Sequence, residues 1–199
     1  SSKEINLGLD RVTCVFDRLK FVRPKKIITV AGTNGKGSVV SILESILIAQ
    51  GFQVGSYTSP HMHKYNERIK VNCIPVSNNK IIDAFEKIES VRCNEPLTYF
   101  EFGTLAALDI LSNSYIDYLI LEVGLGGRLD AVNVIDPDGS IITNIGLDHM
   151  DWLGDNREKI GYEKAGIMRD NIPTVYGEMD PPNSIKDTAF DKGTDLILM

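Results

Sequence analysis

A chain of 199 residues, 43% hydrophobic and 24% charged, has room for one sizeable domain and the composition of an ordinary globular protein. Its formal net charge of -6 excludes a general attraction to nucleic acid or to an anionic membrane, so any anionic ligand has to be held by local groups. Cys14, Cys73 and Cys93, widely and irregularly spaced, argue against a disulfide framework or a CxxC metal site and fit a reducing cytoplasm, while no apolar run of about 18 residues and no signal-like N-terminus points to a membrane.

The elements follow in order. Ile5, Leu9, Val12, Phe16 and Leu19 recur at helical spacing and predict an amphipathic opening helix. Ile27 to Ala31 is a β-branched apolar run, the pattern of a buried strand. A glycine-rich turn leads from it to a helix over about Ser38 to Gln50, stopped by Gly51. Strands are expected at Gln53 to Tyr57 and, with alternating character, at Arg68 to Cys73. Ser77 is placed to cap a helix carrying Ile81, Ile82, Phe85 and Ile88, and a further helix covers Phe100 to Leu111. Tyr118 to Leu121 is a strand running into Gly124-Leu125-Gly126-Gly127. The remaining pattern is a strand at Ser140 to Asn144, a helix at Arg157 to Ile167, a strand at Pro173 to Tyr176, a helix near Ser184 to Phe190 and a strand signal at Asp195 to Leu198 that runs straight into Met199. This alternation predicts an α/β fold of three layers, a mostly parallel sheet with helices on both faces and ligands gathered at the carboxyl ends of the strands. No closing helix or polar tail follows that last signal, so the chain reads as a truncated domain spanning residues 1–199.

Strand, Gly32-Thr33-Asn34-Gly35-Lys36-Gly37-Ser38, helix is the strongest local feature. Glycines let backbone N–H groups close around phosphate oxygens, and the following helix adds its positive end. Lys36 supplies charge for the outer phosphates and Ser38 a hydroxyl, so Thr33, Asn34, Gly35, Lys36, Gly37 and Ser38 are the nucleotide-binding candidates. The plain alternative is a turn that merely joins strand to helix. A nucleotide brings Mg²⁺, which takes a few oxygen ligands. Ser59, Glu122 and His149 all follow predicted strands. Glu122 is the best of them from first principles, because a carboxylate at the end of a buried strand is costly unless it is paired or on a metal. Ordinary ion pairing or solvation explains such an acid equally well. His149 alone reads as a hydrogen-bonded loop residue, and Ser59 as the opening of a Ser-Pro turn.

Val30-Ala31-Gly32-Thr33-Asn34-Gly35-Lys36-Gly37-Ser38 resembles the phosphate loop of the folylpolyglutamate and dihydrofolate synthases, members of the wider Mur-ligase group. The resemblance extends to Tyr57-Thr58-Ser59-Pro60-His61 with Asn66-Glu67-Arg68-Ile69, to Leu121 through Ala131, to Leu147-Asp148-His149 and to Glu163-Lys164-Ala165-Gly166-Ile167, in the family's order. It implies a P-loop domain like the Mur-ligase central domain, followed in family members by a Rossmann-like C-terminal domain that supplies adenine contacts and most of the glutamate site. It implies ATP and Mg²⁺ as cofactors, with Ser59, Glu122 and His149 as metal ligands. It also implies that Lys164, otherwise an exposed helix lysine, is carried as a carbamate. Lys36, Lys164 and His149 become the catalytic candidates. Thr98, Phe100, Asp130 and Ala131 match positions near the pterin site of the bifunctional bacterial type, although Phe100 fits ordinary core as well. The implied reaction activates the carboxylate of dihydropteroate or a tetrahydrofolate species as an acyl phosphate, which L-glutamate then attacks. The implied protein is a cytoplasmic monomer with small-molecule substrates. One departure is Val132, where the family has threonine. The alternative readings are a Mur-type ligase for another carboxylate and a nucleotide-binding remnant without turnover.

Overall fold

Apolar strands that bury both faces build the centre of the molecule. The computed structural model describes residues 8–148 and 150–199, so Ile5 of the expected opening helix and the candidate ligand His149 lie outside the described residues. The strands are β1 (Lys26–Ala31), β2 (Val54–Tyr57), β3 (Ile69–Val71), β4 (Ile74–Pro75), β5 (Tyr118–Glu122), β6 (Gly139–Ile142), β7 (Thr174–Tyr176) and β8 (Leu196–Leu198). They form one sheet in the order β4-β3-β2-β5-β1-β6-β7-β8, parallel from β2 to β8 and antiparallel only at the β3 and β4 edge.

Around the sheet run α1 (Asp10–Phe16), α2 (Lys36–Ala49), α3 (Asn78–Val91), α4 (Tyr99–Ser112), the single turn α5 (Met150–Leu153), α6 (Arg157–Ala165) and α7 (Asn183–Asp191). The period-two alternation of the strands divides two apolar clusters. Val30, Val54 and Ile120 point to the side covered by α2 and meet Val40. Ile27, Tyr57, Leu119, Leu121 and Ile142 point the other way, into the larger cluster shared with Val12, Ile88, Leu105, Leu108, Ile160 and Ile185 of the remaining helices. The expected three-layer arrangement is therefore present, with helices on both faces.

Local differences from the sequence pattern have simple causes. The run from Arg68 to Cys73 is not one strand. Arg68 ends a 3-10 turn, Tyr65–Arg68, and Asn72 and Cys73 take positive φ of 50° and 63°, folding β3 back as a hairpin onto β4. Two consecutive left-handed residues make the hairpin turn that glycine pairs usually make. Helix α2 begins at Lys36 rather than Ser38, so the lysine of the glycine-rich loop is the first helical residue. The turn α5 carries no periodic pattern that would reveal it.

Candidate active site

The glycine-rich loop leaves β1 at the carboxyl edge of the sheet and is fastened to the neighbouring strand end. Thr33 N–H donates to Asn144 O at 3.1 Å, Asn34 N–H donates to Asn144 Oδ1 at 3.0 Å, and the Thr143 hydroxyl donates to Asn34 O at 2.6 Å. Gly32 sits at φ 146°, and a Cβ there would fall 1.8 Å from Thr143 Oγ1, so only glycine permits this latch. Gly35 (φ 80°) then turns the chain into α2. Helices α3, α4 and α6 start on the capping side chains of Ser77, Thr98 and Asn156. In contrast, α2 starts without a side-chain cap and has no acid in its first turn. Its first N–H groups and its positive end are left facing the mouth of the site, the arrangement that receives an anion. Lys36 folds back over the loop, its Nζ donating to Gly32 O at 2.9 Å and Thr33 O at 3.2 Å. Ser38 is exposed two residues further on.

Strands β2 and β5 deliver the next groups to the same edge. Glu122, the last residue of β5, is only 5% exposed and accepts a hydrogen bond from Ser59 N–H at 3.0 Å. A Cβ on Gly37 would lie 3.8 Å from its other oxygen, which puts the carboxylate against the start of α2. Burial holds the Glu122 carboxyl above its ordinary range, against the opposing pull of the Ser59 N–H and the Lys36 charge. Among the described residues it makes no ion pair, so a desolvated acid stands beside the glycine-rich loop with one oxygen uncommitted. That donor set of hard oxygens, Glu122 with the hydroxyl of Ser59, fits a divalent cation such as Mg²⁺.

Lys164 comes from α6 and lines a small enclosed pocket together with Gly32, Thr33, Lys36, Asp148 and Leu153. It is 4% exposed, not the exposed helix lysine that its sequence context alone suggests. Burial and the positive charge of Lys36 push its amine down to about 8, while Asp148 opposes them. Asp148 is a site residue that the chemistry of single positions does not single out; its signal is its place after β6, at the same sheet edge.

The loop after β5 is bound to α6 and so to Lys164. Arg128 N–H donates to Glu163 O at 2.7 Å, and the Arg128 guanidinium pairs with the Glu163 carboxylate at 2.8 Å. Gly127 and Gly166 allow this contact, since a Cβ would come within 2.7 Å of Glu163 O at the first and 2.3 Å of Arg128 Cβ at the second. Asp130, 4% exposed, accepts from Leu125 N–H at 2.8 Å and Val132 N–H at 3.0 Å. Burial outweighs these donors and pushes its carboxyl up to about 6. Ala131 is buried beside it. Phe100 is half-buried, 6.2 Å from the Tyr57 ring, and so close to Gly124 that a Cβ there would meet its ring at 2.5 Å. Phe100 and Asp130 thus flank the same short segment, Gly124-Leu125. Thr98 lies two residues from Phe100, and its hydroxyl accepts the Glu101 N–H as the cap of α4. The nucleotide, metal and ring candidates that are described therefore share one edge of the sheet.

The chain matches the Mur ligase middle domain over residues 30–176. It is 50% identical to a dihydrofolate synthase/folylpolyglutamate synthase of Escherichia coli (strain K12), covering 96% of this chain and 46% of that protein. It is 40% identical to the protein of the same name in Bacillus subtilis (strain 168), covering 87% and 42%. Among solved structures, E. coli FolC in complex with DHPP and ADP superposes with a TM-score of 0.96 at 49% identity, covering all of this chain and 48% of that one. A bifunctional folylpolyglutamate synthase/dihydrofolate synthase with Mn, AMPPNP and L-glutamate bound gives 0.93 at 49% identity, covering 99% and 49%. The chain spans about half the length of the curated relatives it matches.

Proposed function

The chain belongs to the Mur ligase middle-domain family, and from that premise we propose that it carries the phosphate- and metal-binding half of an ATP-dependent ligase joining L-glutamate to dihydropteroate or a reduced folate. One observation carries the reading: the glycine-rich loop with Lys36, the buried carboxylate of Glu122 and the buried Lys164 of lowered basicity converge on the uncapped start of α2. The relatives named for this activity, and the related structures holding ADP with DHPP or AMPPNP with L-glutamate, support the substrate assignment.

In this mechanism the α2 N–H groups and Lys36 hold the terminal phosphates of ATP, with Thr33, Asn34, Gly35, Gly37 and Ser38 around them. Ser59, Glu122 and His149 are assigned to Mg²⁺, which when bound neutralises charge on the phosphate oxygens. The substrate carboxylate attacks the γ-phosphorus, giving an acyl phosphate and ADP. The amine of glutamate adds to the acyl carbon, its proton is lost, and inorganic phosphate leaves with the C–O bond pair. Lys164 contributes through its depressed basicity: its neutral amine is the form that would add CO₂ through a new N–C bond, releasing one N–H proton to solvent and leaving a carbamate anion at the edge of the pocket. Thr98, Phe100, Asp130 and Ala131 are assigned to the pterin ring. The adenine and glutamate contacts are assigned to the remaining length that the relatives possess. The three free cysteines fit a cytoplasmic protein, and no helix among the described residues is long and apolar enough to cross a membrane.

Phosphate release from ATP tests the reading, measured with dihydropteroate or tetrahydrofolate and with or without L-glutamate. It is run on this chain and on one extended to the length of its relatives. Release that requires both the pterin acid and glutamate is the expected result; release indifferent to the pterin acid overturns the substrate assignment and leaves only the nucleotide site.

A further inference from the structure

Between β2 and β3 the loop Ser59 to Arg68 runs beside the site, and the side chains of Glu67 and Asn66 are taken up by backbone groups. Glu67 collects the N–H groups of Met62, His63 and Lys64 on its two oxygens, and the Asn66 amide donates to Val76 O. Arg68 is different. It is 8% exposed, its Nε donates to His61 Nδ1 at 2.8 Å, and its guanidinium lies 5.4 Å from the Tyr65 ring centre and 5.7 Å from that of Tyr99. Among the described residues, no carboxylate pairs with it and neither terminal nitrogen makes a hydrogen bond. Those two nitrogens are also absent from the enclosed side-chain atoms that lack partners, so both keep an opening to solvent.

A guanidinium taken this far out of water without a counter-anion loses more hydration than two aromatic faces and one hydrogen bond to an imidazole return. A planar carboxylate closes the deficit, because it matches the free edge of the fork with two parallel hydrogen bonds. The surroundings say which carboxylate. His61, the hydrogen-bond partner, is two residues from Ser59, whose N–H is on Glu122. Tyr99, on the other side, stands between Thr98 and Phe100 at the start of α4. The guanidinium therefore lies between the metal-ligand candidates and the ring-binding candidates, where an acid with a planar ring at one end presents its other end.

We propose that Arg68, held by His61, Tyr65 and Tyr99, is the receptor for the carboxylate of the pteroate-type acid and sets its selectivity for an acid over a neutral ring compound. This assignment rests on the pterin-site reading given above. His61 is a positioning residue that fixes the fork, and Arg68 is the group that touches substrate.

Calorimetric titration of this chain with two compounds tests the assignment: dihydropteroate, and the same pterin–aniline skeleton lacking the carboxylate. The wild-type chain is expected to bind dihydropteroate about 10- to 100-fold more tightly than the carboxylate-free compound. Arg68→Met is expected to bring dihydropteroate to the affinity of the carboxylate-free compound while leaving the latter unchanged, and Arg68→Lys to fall between. Equal affinities of the two compounds for the wild-type chain overturn the assignment without using any variant, and so does discrimination that survives in Arg68→Met. If the wild-type chain binds neither compound, the pterin-site reading fails first and the role of Arg68 falls with it.

Discussion

Lys164 is a lysine whose basicity folding lowers, with an amine at about 8 instead of 10.5 because burial disfavours its charge. The unfolded chain binds this proton more readily than the native one, so native stability falls as pH drops from about 10.5 to about 8 and is level below that. Lys164→Met removes the penalty and is expected to raise stability at pH 7 by about 1–3 kcal/mol in urea denaturation under CO₂-free buffer. A loss of stability in that variant would contradict the burial account. Glu122 is the opposite partner in the same economy of charge. Glu122→Gln keeps an acceptor for Ser59 N–H but removes the charge, so the chain without ligand is expected to be at least as stable, while in a protein of its relatives' length the proposed ligase turnover falls by about 100-fold or more. Turnover within a few-fold of the parent, read by phosphate release, would remove Glu122 from the metal site. The costly carboxylate was legible in the sequence, because an acid closing an apolar strand stands out. The buried lysine was not: nothing in the spacing of α6 reveals that its last turn faces Lys36, and only the family resemblance marked it.

At the scale of elements, the loop Gly124 to Asn133 and helix α6 act as one piece. Arg128 is joined to Glu163 through both backbone and side chain, and Asn133 Nδ2 donates to Gly166 O at 3.0 Å. Gly166→Ala drives a methyl to 2.5 Å from the Arg128 backbone Cα, a group that cannot swing away. The expected outcome is a loss of about 1–3 kcal/mol in chemical denaturation, together with weaker pterin binding because Asp130, proposed for the pterin ring, rides on the same loop. Weakened stability with pterin affinity unchanged would show that the loop and the helix are not coupled. Strands β1 and β5 were readable because their residues are β-branched and apolar on both faces, and helices α3 and α4 because Ser77 and the apolar periodicity announce them. The β3–β4 hairpin was missed because Asn72-Cys73 is not the glycine-bearing pair that usually marks such a turn.

At the scale of the whole molecule, strand order brings the phosphate loop after β1, Ser59 after β2 and Glu122 of β5 to one edge, since β5 lies between β2 and β1 in the sheet. A ligand that bridges these strand ends stabilises the native state by linkage, by about 2.7 kcal/mol at a hundredfold excess over Kd. For a chain of this size Mg·ATP at that excess is expected to raise Tm by about 5–10 °C, and Lys36→Met to abolish most of the shift. An equal shift in that variant would mean that nucleotide is held elsewhere. The sequence alone determined the class of the fold and the place of the glycine-rich loop between β1 and α2, because hydrophobic period and glycine placement are local properties of the chain. Tertiary structure decided the rest. Residues more than sixty positions apart, such as Ser59 and Glu122, become partners only when parallel strands pair side by side, and whether a lysine or an arginine keeps its water depends on what packs over it.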